Sequence, residues 1–248
     1  YCMLLIFLMI SSVFARPYVL IVSFDGFRHD YLNRVNTPNF DKMKLNGTSA
    51  KSLKPVFPSL TFPNHYSIAT GAYSGTHGLI GNSFYRKDFD EYYSMYNKKT
   101  VIDGKWYGAE PIWVTAEKQG VNSATYFWVG SEAEINGYRP SIYESYDGSI
   151  PFYNRVETVF EWFNLPYKIR PQLCMLYFNE PDNLGHKFGP QSIEVDNSII
   201  EMDKLLGTII DKINASSIKD SLNLIVLSDH GMTTISQEKF IFLDDYIR

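Results

Sequence analysis

The chain has 248 residues, 45% of them hydrophobic and 16% aromatic, enough apolar side chain to bury the core of one large α/β domain. A formal net charge of −4 excludes a broad cationic platform for a nucleic-acid polymer. There are two cysteines, one of them at position 2, so a disulfide framework is excluded as well.

Tyr1 and Cys2 precede Met3, and Met3 to Ala15 reads as a cleaved secretory signal. Leu4 to Ile10 is apolar but far short of the roughly 20 residues that span a bilayer, and the segment ends in small residues as a peptidase site does. The mature chain is expected from Arg16, with Cys174 a lone buried thiol. Asn46-Gly47-Thr48 and Asn214-Ala215-Ser216 are sequons for glycosylation of Asn46 and Asn214.

Tyr18 to Phe24 is a β-branched apolar run with little alternation, the pattern of a parallel strand buried on both faces, and it ends in Asp25-Gly26. A capped helix is expected to begin at Thr37-Pro38, and Ala50 to Phe57 reads as a returning strand. In Pro58-Ser59-Leu60-Thr61-Phe62-Pro63-Asn64-His65 two prolines bracket one hydroxyl. The segment should enter extended, turn at Thr61 and begin a helix over Asn64 to Thr70, which sets the helix's positive end beside the Thr61 oxygen.

A Gly-rich loop over Gly71 to Ser83 lacks P-loop spacing and presents Asn82. Asp88 to Gly108 reads as surface loops with a short hairpin. A helix over Pro111 to Gln119 precedes a strand over Ser123 to Val129. Pro151 to Asn164 has an amphipathic helical pattern, Leu173 to Phe178 is a buried strand opening onto Asn179-Glu180-Pro181-Asp182, Ser192 to Ile213 is a long helix, and Leu222 to Ser228 is a strand ending in Asp229-His230.

Three buried-type strands thus end in carboxylates, Asp25, Asp182 and Asp229, two of them with a histidine close behind, His186 and His230. In a parallel sheet such ends converge on one rim, where open α/β folds bind ligands. Asp and His without cysteine suit Zn²⁺, and five ligands plus a threonine oxygen are too many for one tetrahedral ion, so two Zn²⁺ are implied.

Val22-Ser23-Phe24-Asp25-Gly26, Pro58 to His65, Glu180-Pro181-Asp182-Asn183-Leu184-Gly185-His186 and Ser228-Asp229-His230-Gly231-Met232 resemble, in order and spacing, the nucleotide pyrophosphatase/phosphodiesterase family of the alkaline phosphatase superfamily. The resemblance implies a mostly parallel central sheet with helices on both faces, residues 16–248 forming a catalytic domain incomplete at its C-terminal end. It also implies that Asp25, Thr61, Asp229 and His230 hold one zinc and Asp182 and His186 the other, a further histidine being supplied downstream.

In that reading Thr61 is the covalent nucleophile, Asn82 binds a phosphate oxygen, and Phe62, Trp128 and Tyr146 hold a nucleobase. The implied activity is extracellular hydrolysis of nucleotide phosphodiester or pyrophosphate bonds, by a secreted protein or one on the outer face of the plasma membrane, anchored or not beyond Arg248. The alternatives are a choline-phospholipid phosphodiesterase of the same family, which resembles a serine rather than a threonine enzyme, and a catalytically silent binding ectodomain. A phosphomonoesterase would carry serine with an arginine near the phosphate, a pairing not visible around Thr61. The 16–248 chain alone is expected to expose an apolar sheet edge and to be impaired.

Overall fold

A computed structural model describes residues 17–247; the signal segment expected at 1–15 lies outside the described residues. Five parallel strands form the central sheet: β1 (Tyr18–Phe24), β4 (Ser123–Tyr126), β5 (Ile142–Glu144), β6 (Leu173–Phe178) and β7 (Leu222–Leu227), in the order β5-β4-β6-β1-β7. A separate hairpin pairs β2 (Ser83–Arg86) with β3 (Glu91–Ser94).

The unbroken apolar runs are explained by burial on both faces. Leu20, Val22 and Phe24 of β1 and Cys174, Leu176 and Phe178 of β6 pack with α1 (Pro38–Asn46), α6 (Phe152–Phe163) and α8 (Ile193–Ala215). Ile21 and Met175 face the other way, against Tyr66 and Ala69 of α2 (Thr61–Thr70) and Trp113 and Val114 of α5 (Ile112–Lys118). Each such fully buried side chain contributes about 1.5–3 kcal/mol. Cys174 is a buried free thiol, as expected.

The remaining helices are short: α3 (Ser74–His77) inside the Gly-rich loop, α4 (Lys98–Val101), and α7 (Asp182–Phe188) directly after β6. Ser192 caps the long α8, its side chain accepting from the Val195 N–H. At α1 the cap comes from a distance: the buried Asp203 of α8 accepts from the backbone N–H groups of Asn39 and Phe40 at 3.0 and 2.9 Å.

Four local expectations are corrected. Helix α2 begins at Thr61, three residues early, because the Asn64 side chain ties the Pro58 and Leu60 carbonyls and the Val56 N–H into its first turn, where Pro63 lacks only a donor that would be unpaired anyway. Residues 50–57 form no strand; Val56 bonds to that asparagine instead of to a sheet. Strand β4 stops at Tyr126, since Phe127 turns to a φ of 66°. The tyrosine-rich stretch is only partly surface, with Tyr93, Trp106 and Tyr107 buried in the second core.

Candidate active site

Three adjacent strands at one side of the sheet, ending with the edge strand β7, place the chemistry. Because β6, β1 and β7 are parallel neighbours in register, Ser23 pairing with both Tyr177 and Leu227, the residues that follow them emerge together at the carboxyl edge. Asp25, Asp229 and His230 offer ligand atoms lying within 4.8 Å of one another, a set able to hold a metal ion. His230 Nε2 is 3.2 Å from Asp229 Oδ2 and 3.5 Å from Asp25 Oδ1.

Thr61 reaches the same place from α2, its Oγ1 3.4 Å from His230 Nε2. Of the first-turn donors, the Phe62 N–H goes to Asn82 Oδ1 at 3.0 Å, which brings the Asn82 amide to the residue next to Thr61.

Asp182 opens α7 and His186 follows four residues later on the same helical face, Nε2 to Oδ2 3.5 Å. Among the described residues this is a pair, separate from the three-residue cluster. Gly26 brings the two groups close: a Cβ there would lie 2.9 Å from Asp182 Oδ1, while its N–H donates to Asp229 Oδ1 at 3.1 Å.

The electrostatics fit a cation. Asp25 Oδ1 and Asp182 Oδ1 are buried oxygens without hydrogen-bond partners among the described residues, and Asp229 Oδ2 is met only by the His65 and His230 ring nitrogens at 3.3 and 3.2 Å. Burial, followed by the Asp229 and Asp182 carboxylates, holds the Asp25 carboxyl well above the ordinary range, and burial raises Asp182 too. Burial pulls Asp229 upward as well, but His65 and His230 beside it and the Gly26 N–H outweigh that and hold it down to about 2. Three buried carboxylates in mutual repulsion, two of them with an unpaired oxygen, are what a divalent ion relieves.

Phe62 is half-buried and Tyr146 is exposed at the rim, its ring 6.4 Å from Tyr177. Trp128 is 2% exposed, its Nε1–H donates to the His65 carbonyl, and its ring meets the His65 imidazole edge-on. The asparagines of both sequons are exposed, Asn46 at the end of α1 and Asn214 at the end of α8.

Two residues at the centre carried no site signal in the sequence. His65, which reads there as a helix start, is fully buried beside Asp229, and Tyr177, one of a strand's apolar run, donates its hydroxyl to Asp25 Oδ2 at 2.6 Å. The place of His65 four residues after Thr61 was the one available hint; for Tyr177 there was none.

The chain is 43% identical over 236 residues to human ectonucleotide pyrophosphatase/phosphodiesterase family member 1, covering 94% of this chain and 25% of the human protein. It is 42% identical over 235 residues to the venom phosphodiesterase of Naja atra, covering 94% of this chain and 28% of that protein. It therefore spans about a quarter of the length of these curated relatives. Among solved structures, an inactive threonine-to-alanine variant of murine ectonucleotide pyrophosphatase/phosphodiesterase 5 in complex with AMP superposes with a TM-score of 0.86 at 36% identity, over 94% of this chain and 62% of that one. Residues 19–248 match the sequence model of the Type I phosphodiesterase / nucleotide pyrophosphatase family, and the chain belongs to that family.

Proposed function

We propose that this chain carries the nucleophile and most metal ligands of an extracellular, zinc-dependent hydrolase that cleaves phosphodiester or pyrophosphate bonds of nucleotides through a covalent threonine intermediate. The observation that carries the reading is the Thr61 hydroxyl beside His230 at the mouth of a buried Asp–His cluster whose outward oxygens lack partners. The names of the relatives support the substrate class and the extracellular setting, and the inactive threonine variant found with AMP is in keeping with both nucleophile and nucleotide.

Asp25, Asp229, His230 and Thr61 are the residues that would hold one Zn²⁺, and Asp182 and His186 contribute to a second. When bound, zinc supplies Lewis-acid stabilisation of the threonine alkoxide and of the departing oxygen. The chain's own part is positional. Thr61 Oγ1 gives its proton to solvent and bonds to phosphorus as the bond to the leaving oxygen breaks, that oxygen taking up a proton from solvent; a water oxygen then bonds to phosphorus, the Thr61 Oγ1–phosphorus bond breaks, and one water proton returns to Oγ1, with retention overall. The Asn82 NH₂ donates to a non-bridging phosphate oxygen, where the helix α2 N-terminus also favours negative charge. Phe62 and Tyr146 flank the entrance as base-holding rings.

The test is Thr61→Ala in the full-length protein. Turnover of a nucleotide diester should fall at least about a thousandfold with zinc content unchanged, while Thr61→Ser keeps part of the rate because the same oxygen remains. Wild-type diesterase activity in Thr61→Ala would remove the assignment.

A further inference from the structure

His65 makes more contacts to the catalytic groups than its place outside the ligand set would suggest. Its Nδ1 lies 3.0 Å from the Thr61 carbonyl oxygen and 3.3 Å from Asp229 Oδ2, and its Nε2 lies 2.9 Å from Ser23 Oγ. Both neighbours of Nδ1 are acceptors without a proton of their own, so Nδ1 must carry one and share it between them. The ring cannot turn away: the Trp128 and Tyr177 rings meet it edge-on at 5.2 and 5.1 Å, the Trp128 indole N–H fixes its backbone carbonyl, and no part of it reaches solvent.

We propose that His65 is a positioning residue that clamps the backbone of the nucleophile Thr61 to the metal-binding carboxylate of Asp229, so that helix α2 and the end of β7 keep one geometry. This rests on the function proposed above. One side of the clamp is the residue that forms the covalent bond, and the other is a carboxylate whose remaining oxygen is already taken by the Gly26 N–H. Fixing a ligand carboxylate through a second hydrogen bond typically decides 10- to 100-fold in metal affinity. Ser23, fully buried on β1, holds the far nitrogen and thereby the tilt of the ring.

Two substitutions separate clamping from filling space. His65→Asn keeps an N–H close to where Nδ1 sits, whereas His65→Gln carries its amide toward the Nε2 end and leaves Asp229 without that donor. Zinc affinity is read on the purified full-length protein by competition with a chromogenic chelator, and melting of the zinc-free forms measures folding alone. His65→Gln should bind zinc about 10- to 100-fold more weakly than wild type and His65→Asn within about threefold, at similar zinc-free melting temperatures. Should His65→Gln not fold, Ser23→Ala, which deletes one hydroxyl, should still weaken zinc several-fold. Wild-type affinity in Gln and in Ser23→Ala, or equal losses in Asn and Gln, would overturn the clamp. A wild-type protein that binds no zinc would instead overturn the metal reading on which it rests.

Discussion

At the scale of single residues, the site sets a few polar atoms against the cost of burying them. Asp25 and Asp229 emerge from adjacent strands, yet the first is pushed up by burial and its acidic neighbours while the second is held down by histidines and a backbone donor. Tyr146 differs in being exposed, where a base could reach it. If it stacks a base, worth about 1–3 kcal/mol, Tyr146→Ala raises KM for nucleotide diesters about 5- to 100-fold and leaves a small nitrophenyl diester nearly unchanged. Equal losses on both substrates would make its role packing.

His77 gives a second residue-scale test. It is fully buried, its Nδ1 accepts the Leu79 N–H at 3.2 Å, and its Nε2 therefore donates to Ser67 Oγ at 2.8 Å. Burial pulls its pKa down to about 4 from the ordinary 6.5. Between those values the unfolded chain binds a proton that the folded one refuses, so His77's contribution to stability is intact above pH 6.5 and is lost as the pH falls toward 4, by no more than about 3 kcal/mol. In urea titrations the stability gap between wild type and His77→Gln should narrow by about 2 kcal/mol from pH 7 to pH 5. Parallel curves would show that His77 does not titrate in that window.

At the scale of elements, the turn after β1 has little freedom. Gly26 takes a φ of +67°, and a methyl group there would lie 2.9 Å from both Cβ and Oδ1 of Asp182. Gly71, the C-cap of α2, has the same φ and open space around it. Gly71→Ala should therefore cost only backbone strain, about 1–2 kcal/mol, with metal content intact. Gly26→Ala should cost that and, by displacing Asp182, also lose bound metal, measured by elemental analysis beside denaturation curves. Unchanged metal content in Gly26→Ala would contradict the geometry of the turn.

At the scale of the whole molecule, the carboxylates tie three strands to one point. Asp182, Asp25 and Asp229 follow β6, β1 and β7, so without a cation the carboxyl edge of the sheet holds repelling, partly unpaired oxygens. Saturating zinc at about 100 times its Kd stabilises by about 2.7 kcal/mol, which for a domain of this size corresponds to roughly 5–10 °C. Calorimetry with and without a chelator should show that gap, and an unchanged Tm would mean that the cluster holds no metal that matters to folding.

The architecture and the meeting of Asp25, Asp229 and His230 were legible in the sequence because both are written in local pattern. Runs such as Tyr18–Phe24 and Leu173–Phe178 can be buried on two faces only as inner parallel strands, and that alone brings Asp25, Asp182, Asp229 and their histidines to one edge. Tertiary contact decided the rest. Asn64 moved the start of α2 by gathering a loop no propensity marks, Asp203 capped a helix more than 160 residues away in sequence, and the Trp128 indole N–H was set on the His65 carbonyl. A histidine four residues after Thr61 and a tyrosine inside a strand look ordinary in a linear chain. Only the packing of α2 against β1, β6 and β7 sets them on the carboxylates, because a hydrogen bond depends on where two atoms meet in space.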